Sequence, residues 1–330
     1  MIEEKINIAV IGVGLMGQNH ARVLFNLENV NFKAVVDANK GLVEKIGKKY
    51  NLSFYTSYKE MFKKQKIDAV CIAVPTKFHK KAAIYAANLG KHVLLEKPIA
   101  LNEKEAQEII EAAEKNNTKL MIGHIERFNP AIIELKKRID AGELGEIYKI
   151  DAQRISPFPT RITDVGVTID LSVHDIDVIN YLIDSSLKRV YSETQQKLHP
   201  YFEDSVTSLL TYENGILAVL NTNFLSPTKE RKLYVFGKKG MFMVEYIKQD
   251  LYFYENKGFL NDNWRNVSEG SVKKINLVKK EPLQSEIEHF IYCIKENKQP
   301  LVTGNDGLKA LKIANLIIKS GNKKKVIKLD

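Results

Sequence analysis

Asp170 and His174 stand four residues apart in an otherwise largely apolar stretch, Thr168 to Leu182. On a helix that spacing brings both side chains to one face. A carboxylate would then share a surface with an imidazole whose charge changes near neutral pH. Such an imidazole can take a proton from a hydroxyl as general base. Lys97 is the third group of interest. It precedes Pro98 at the end of the run Gly90-Lys91-His92-Val93-Leu94-Leu95-Glu96. An ammonium there can hydrogen-bond an oxygen that is losing its proton and stabilise the charge that develops. The plainer reading of Asp170 and His174 alone is an intrahelical polar pair.

The opening of the chain bears on that choice. Gly12-Val13-Gly14-Leu15-Met16-Gly17 follows a continuous apolar run, Ile6 to Ile11, and precedes a helical stretch. In that context the first glycine permits a tight turn, the second lets backbone approach a pyrophosphate, and the third allows close helix–strand packing. A helix N-terminus adds free N–H groups and a favourable dipole for phosphate. Asp37 ends the next apolar run, where a carboxylate can hold both hydroxyls of a ribose. It would repel a 2′-phosphate, and Ala38-Asn39 offer no arginine to receive one, so NAD is expected rather than NADP. Gly12, Gly14, Leu15, Met16, Gly17 and Asp37 form the expected cofactor turn. Val74, Pro75, Thr76 and His79, with Glu96 and Lys97, are expected at later strand ends, where ligands bind in such sheets. His79 could equally be a polar residue facing along its helix.

The elements that must position these groups change in character along the chain. Up to Ile122 short apolar runs alternate with helical patterns, which predicts a doubly wound parallel α/β sheet of Rossmann type. After Gly123 helices at Pro130–Ile139 and Thr168–Leu182 accompany longer strand patterns. Glu213-Asn214-Gly215 predicts a hairpin between the strands Ser205–Tyr212 and Ile216–Phe224. Strands at Leu233–Phe236, Met241–Tyr246 and Leu251–Tyr254 continue the pattern, and helices at Pro282–Lys295 and Asp306–Lys319 close it. The expected organisation is a dinucleotide-binding domain over 1–123. An α+β domain with an open, mostly antiparallel sheet then covers 124–330, for substrate binding and oligomerisation.

Three segments carry a resemblance. Gly90 to Pro98, following Pro75-Thr76-Lys77-Phe78-His79, resembles the Gfo/Idh/MocA family of sugar and cyclitol oxidoreductases. Asp170-Leu171-Ser172-Val173-His174-Asp175-Ile176-Asp177 is similar to that family's helix with an aspartate and a histidine four apart. Asp306-Gly307-Leu308-Lys309-Ala310-Leu311-Lys312-Ile313-Ala314 is similar to its C-terminal helix. Together they reach across nearly the whole chain. The resemblance implies catalytic roles for Lys97, Asp170 and His174, with His174 as base toward a sugar hydroxyl. It also implies a cis peptide between Lys97 and Pro98. Gly123-His124-Ile125-Glu126-Arg127-Phe128-Asn129-Pro130 resembles the family members that oxidise the 3-hydroxyl of UDP-N-acetylglucosamine, a nucleotide sugar. Glu126, Arg127 and His174 are then expected at the substrate. Arg154 and Arg161, flanking a proline-containing stretch, are expected to hold a diphosphate through paired N–H donors or, failing that, to make surface salt bridges. The alternatives are oxidation of a free sugar or cyclitol, and a dinucleotide-binding regulator without catalysis. The second would not need Lys97, Asp170 and His174 together.

Composition limits the partners. The chain has 330 residues, enough for two domains with their own cores. Its net charge of +10 comes mainly from lysines spread along the sequence. The tail Lys323-Lys324-Lys325 is the densest cluster, and basic residues do not interleave with aromatics as single-strand binders require. Nucleic acid is not an expected partner, although the field can attract an anionic substrate. No apolar run approaches the roughly 18 residues of a membrane span. The acidic start Met1-Ile2-Glu3-Glu4-Lys5 does not look like a signal peptide, so the cytoplasm is the expected location. Cys71 and Cys293 are distant in sequence and suggest neither a disulfide framework nor a cysteine zinc site. No metal is expected. A sheet face with Tyr, Phe, Leu and Val at alternate positions needs cover, so a homodimer or homotetramer through that face is expected.

Overall fold

The computed structural model of the chain describes residues 5–159, 165–256 and 270–329. Its first part alternates strand and helix: β1 (Ile6–Ile11), α1 (Leu15–Asn26), β2 (Val30–Val36), α2 (Lys40–Tyr50), β3 (Ser53–Tyr55), α3 (Tyr58–Lys64), β4 (Ala69–Ile72), α4 (His79–Asn88), β5 (His92–Glu96), α5 (Glu103–Lys115) and β6 (Leu120–Gly123). The strands form one parallel sheet in the order β3-β2-β1-β4-β5-β6. All four residues of β4 are buried, as expected of a strand covered on both faces. Asn39 and Asn102 cap α2 and α5, each side-chain oxygen accepting an N–H of the first turn. The order reverses between β1 and β4, so the loops after β1, β2 and β4 open at one edge of the sheet, where Asp37 and Gly12 lie. The edge strand β3 is only three residues long, too short to show alternation in sequence.

The second part begins with α6 (Pro130–Asp140) and β7 (Ile147–Ile155), then α7 (Val173–Leu182). The expected helix over Thr168–Leu182 is present, but its first turn, Thr168–Ser172, is π-helical. Strands β8 (Leu187–Gln195), β9 (Ser205–Tyr212), β10 (Leu217–Asn223), β11 (Glu230–Gly237), β12 (Gly240–Glu245), β13 (Asp250–Glu255) and β14 (Val272–Ile275) follow. Helices α8 (Pro282–Lys295) and α9 (Gly304–Lys323) and the short β15 (Ile327–Lys328) end the chain. The sheet order is β14-β13-β12-β11-β7-β10-β9-β8-β15, antiparallel except for β7 beside β10. The Asn-Gly turn joins β9 to β10, yet only Gly215 takes a positive φ, of 85°. Asn214 contributes instead through its side chain, which accepts the Ile216 N–H.

Register divides this sheet into two faces. Val190, Leu210, Ala218, Ile150, Val235 and Phe242 are cross-strand neighbours in one fully buried row, and α6 and α7 pack on this sheet. The opposite row runs Tyr191, Leu209, Val219, Asp151, Tyr234, Met243 and is part-exposed.

Two compact units result: Met1–Ile125 with Glu281–Leu311, and Glu126–Lys280 with Lys312–Asp330. The expected cut after Gly123 lies close to the first break, but it omits the late return of the chain to the first unit. That return has a plain cause. Helix α8 buries Leu283, Ile287, Phe290 and Ile291 and packs beside α1, and Val302 O accepts the Ile122 N–H at the edge of the parallel sheet.

Close packing at the first turn yields a test. A Cβ on Gly17 would sit 1.8 Å from the Gly12 carbonyl oxygen, a backbone atom that cannot swing aside. Gly17→Ala should therefore destabilise the protein by about 2 kcal/mol or more and weaken NADH binding. Urea denaturation and a fluorescence titration read the two effects.

Candidate active site

In the first unit the site is built from strand ends. Gly12, after β1, has φ of +91°, and a Cβ there would lie 2.7 Å from Ala73 and Val74 backbone atoms. Only glycine lets the turn pass so close to the end of β4. A Cβ on Gly14 would meet nothing within 4 Å, so backbone is bare toward open space just before α1. Leu15 and Met16 are exposed and Gly17 is buried. Asp37 closes the turn: its Oδ2 accepts the Val13 N–H at 2.8 Å and its Oδ1 accepts the Asn39 N–H at 2.9 Å. A cavity of about 790 Å³ is lined by Gly12, Gly14, Asp37, Val74 and Pro75. Ser57, Tyr58 and Lys59, which follow the short β3, and Lys81 of α4 also line it; none belongs to a motif that sequence reading could single out.

Thr76 opens a 3₁₀ turn ahead of α4 and is half-buried. His79 is not open to a ligand. Its ring is buried between two carbonyls, with Nδ1 2.9 Å from Pro98 O and Nε2 2.9 Å from Val74 O. Burial pushes its pKa down although both carbonyls pull it up. It ties the turn after β4 to the segment after β5. The Lys97–Pro98 peptide is cis. Lys97 is half-buried at the end of β5, and Glu96 is buried with its Oε1 on His20 Nε2 at 2.8 Å.

In the second unit Asp170 and His174 are both half-buried. Asp170 lies within the π-helical turn, a widened geometry that recurs at functional sites, and His174 lies one turn on in α7. The expected substrate arginines are placed otherwise than predicted. Arg154 is 1% exposed. Its Nε and Nη2 bond both oxygens of Asp175 at 2.7 and 2.9 Å, and its Nη1 bonds Glu126 at 3.0 Å. Burial alone would lower its pKa, but those carboxylates raise it. The Tyr246 ring lies under the guanidinium, 5.0 Å away. Arg127 is likewise buried, paired with both oxygens of Asp177 at 2.8 and 2.6 Å. Both arginines and Glu126 are buried and paired inside the protein, so Arg154 is enclosed rather than on a surface where it could meet a diphosphate. Arg161 lies outside the described residues.

The group that sequence reading missed is Arg231. It stands directly across from Arg154 in the β7–β11 register. Two like charges so placed would repel, and Glu126 Oε1 lies between them, 3.4 Å from Arg231 Nη1. The Arg231 side chain is 28% exposed. Burial and the Arg154 charge hold its pKa down, while Glu126, Asp175 and Asp170 pull it up. Its neighbours Glu230 and Lys232 hid it among ordinary surface charges.

Comparison with known proteins decides the family. Residues 6–124 match the model of an oxidoreductase family described as having an NAD-binding Rossmann fold, and residues 136–329 match that family's C-terminal alpha/beta domain. The chain belongs to the Gfo/Idh/MocA oxidoreductase family. Among curated relatives, UDP-N-acetylglucosamine 3-dehydrogenase of Acidithiobacillus ferrooxidans is 28% identical, covering 92% of this chain and 94% of the relative. The scyllo-inositol 2-dehydrogenase (NAD(+)) of Bacillus subtilis is 26% identical, covering 92% and 91%. The solved structure of the A. ferrooxidans enzyme superposes with a TM-score of 0.87 at 26% identity, covering 96% of this chain and 97% of that one.

The family's cofactor, NAD, fits the residues present. The turn needs glycine where the backbone is tightest, Gly14 leaves room on the open side, and Asp37 stands at the end of β2.

Arg154 supplies the sharpest test here. Arg154→Met would leave the buried Asp175 carboxylate without its paired cation and Glu126 with the longer Arg231 contact, and should cost on the order of 3–5 kcal/mol. Arg231→Met should cost far less, since its side chain is partly exposed and its bond to Glu126 is long. Urea denaturation of both variants makes the comparison.

Proposed function

We propose that this protein oxidises a secondary hydroxyl of a sugar to a ketone with NAD, the hydroxyl being the 3-hydroxyl of UDP-N-acetylglucosamine. The observation that carries the reading is the coexistence of a fitted NAD turn with Lys97 at the end of β5 and with Asp170 and His174 on the π-to-α helix. The bound nicotinamide would supply the two-electron acceptor for hydride leaving the carbon. His174 takes the hydroxyl proton as that carbon–oxygen bond becomes a carbonyl. Lys97 donates a hydrogen bond to the same oxygen and stabilises its growing charge. Asp170 orients the substrate, and Arg231 supports the choice of a polar one by keeping a partly exposed guanidinium within the field of Asp170.

The similarity to the A. ferrooxidans enzyme supports the nucleotide sugar. A second reading, a free sugar or cyclitol, gains from one observation: Arg154 is 1% exposed and bonded to Asp175 and Glu126, which leaves its guanidinium enclosed rather than open to a diphosphate. Reduction of NAD at 340 nm, against UDP-N-acetylglucosamine, glucose and myo-inositol, separates the two. Signal with the UDP-sugar is expected, and signal with myo-inositol alone would move the assignment to the cyclitol. Lys97→Met should lower kcat by about 10²-fold or more, and undiminished turnover would sink the mechanism.

We also propose a homodimer or homotetramer through the part-exposed sheet face, where Leu209, Val219, Tyr234 and Met243 lie in one row. The expected mass by light scattering is at least that of a dimer. Leu209→Lys with Tyr234→Glu should shift it toward the monomer.

A further inference from the structure

His20 lies one turn beyond Gly17 on α1, and Glu96 is the last residue of β5, directly before Lys97. Strand β4 separates β1 from β5 in the sheet, yet the two side chains meet at 2.8 Å with His20 1% and Glu96 8% exposed. The second carboxylate oxygen accepts the Lys97 N–H at 3.3 Å. Gly123 is the registered neighbour of Glu96 on β6, and a Cβ there would come within 3.1 Å of that oxygen. The carboxylate is thus held by an imidazole, by the peptide it precedes and by a glycine that leaves it room. His20 Nδ1 is buried without a hydrogen-bond partner, so the tautomer that suits the site carries its proton on Nε2 and donates to Glu96. Stability does not require such a pair, because apolar residues of similar volume often serve a core as well or better.

We propose that the His20–Glu96 pair is the positioning element for Lys97. It locks the strand end that carries the lysine to the helix that starts at the cofactor turn, and it keeps a fixed negative charge beside the ammonium. The inference rests on Lys97 acting in catalysis as proposed above.

The charges around Glu96 set the direction of the test. Burial is the largest single influence and would raise its carboxyl, but the His20 hydrogen bond and charge, with Lys97 on its own strand end and His79 from α4, together outweigh it and hold the carboxyl down. Cys71 on β4 feels both Glu96 and Glu286 of α8. Removing the His20 donor leaves the burial and takes away the main compensation, so the Glu96 carboxyl rises. Function that needs its anion is then lost at a higher pH.

The experiment compares His20→Phe and His20→Gln with the full-length protein. It records kcat and KM for NAD across pH 5–9, with whichever of UDP-N-acetylglucosamine or myo-inositol is oxidised, and the NADH dissociation constant by fluorescence. His20→Phe is expected to lower kcat on the order of 10²-fold, the scale of a misplaced catalytic group. Its acid limb should move up in pH, while KM for NAD and NADH affinity stay near wild type. His20→Gln, whose amide can still donate to Glu96, should recover most of both losses. A wild-type kcat and pH profile in His20→Phe would overturn the proposal, as would a glutamine variant no better than phenylalanine. If His20→Phe does not fold, Glu96→Gln carries the test: it keeps the bond but loses the charge, and unchanged kcat there is equally fatal. Full turnover by Lys97→Met would instead remove the catalytic reading itself, whatever the His20 variants show.

Discussion

A guanidinium cannot be left in a protein interior without carboxylates around it, and Arg154 is almost wholly enclosed. The second unit is arranged around that requirement. Asp175 comes from α7, Glu126 from the segment before α6, and Tyr246 from the turn after β12. Because Asp175 immediately follows His174, the bond that neutralises Arg154 also fixes the turn that presents His174. Glu126 in turn meets Asn129, whose oxygen caps α6 and whose amide donates to Tyr246 O. Arg127 and Asp177 form a second buried pair from the same two segments. Candidate chemistry thus sits on a helix whose rotation is set by charge neutralisation rather than by apolar packing alone.

The first unit depends on a different constraint, the closeness of backbone to backbone at the strand ends. Gly12 passes against Ala73 and Val74, and Gly17 lies on the Gly12 carbonyl. These contacts leave the N-terminal end of α1 unobstructed beside Asp37. His79 lies between Val74 and Pro98, so its ring bridges the two turns that follow β4 and β5. Its burial favours the neutral ring, which can donate to only one carbonyl at a time.

Much of this was legible without coordinates, and the reasons are local. The glycine spacing reports a tight turn because other residues clash there. Apolar runs bounded by polar breaks report buried parallel strands, and the family resemblance of Gly90–Pro98 extended to the cis peptide that the structure contains. Arg154 was read as a ligand contact because a sequence gives a charge but not its partner. Asp175 and Glu126 stand 21 and 28 positions away from it. Arg231 was overlooked for the converse reason: among so many lysines and arginines, only cross-strand register distinguishes one facing Arg154 and Glu126 from one in solvent.

The sequence by itself determined the two fold classes, the glycine turn after β1, the place of Asp37 at the end of β2, and the helical spacing of Asp170 and His174. Each follows from short-range sterics or from hydrophobic period. Only the tertiary structure decided which charges are consumed internally, that Glu281–Leu311 returns to the first unit, and that His20 reaches Glu96 across β4. Those outcomes depend on contacts between segments far apart in the chain, where burial makes an ion's partner obligatory and sheet order chooses which partner is near.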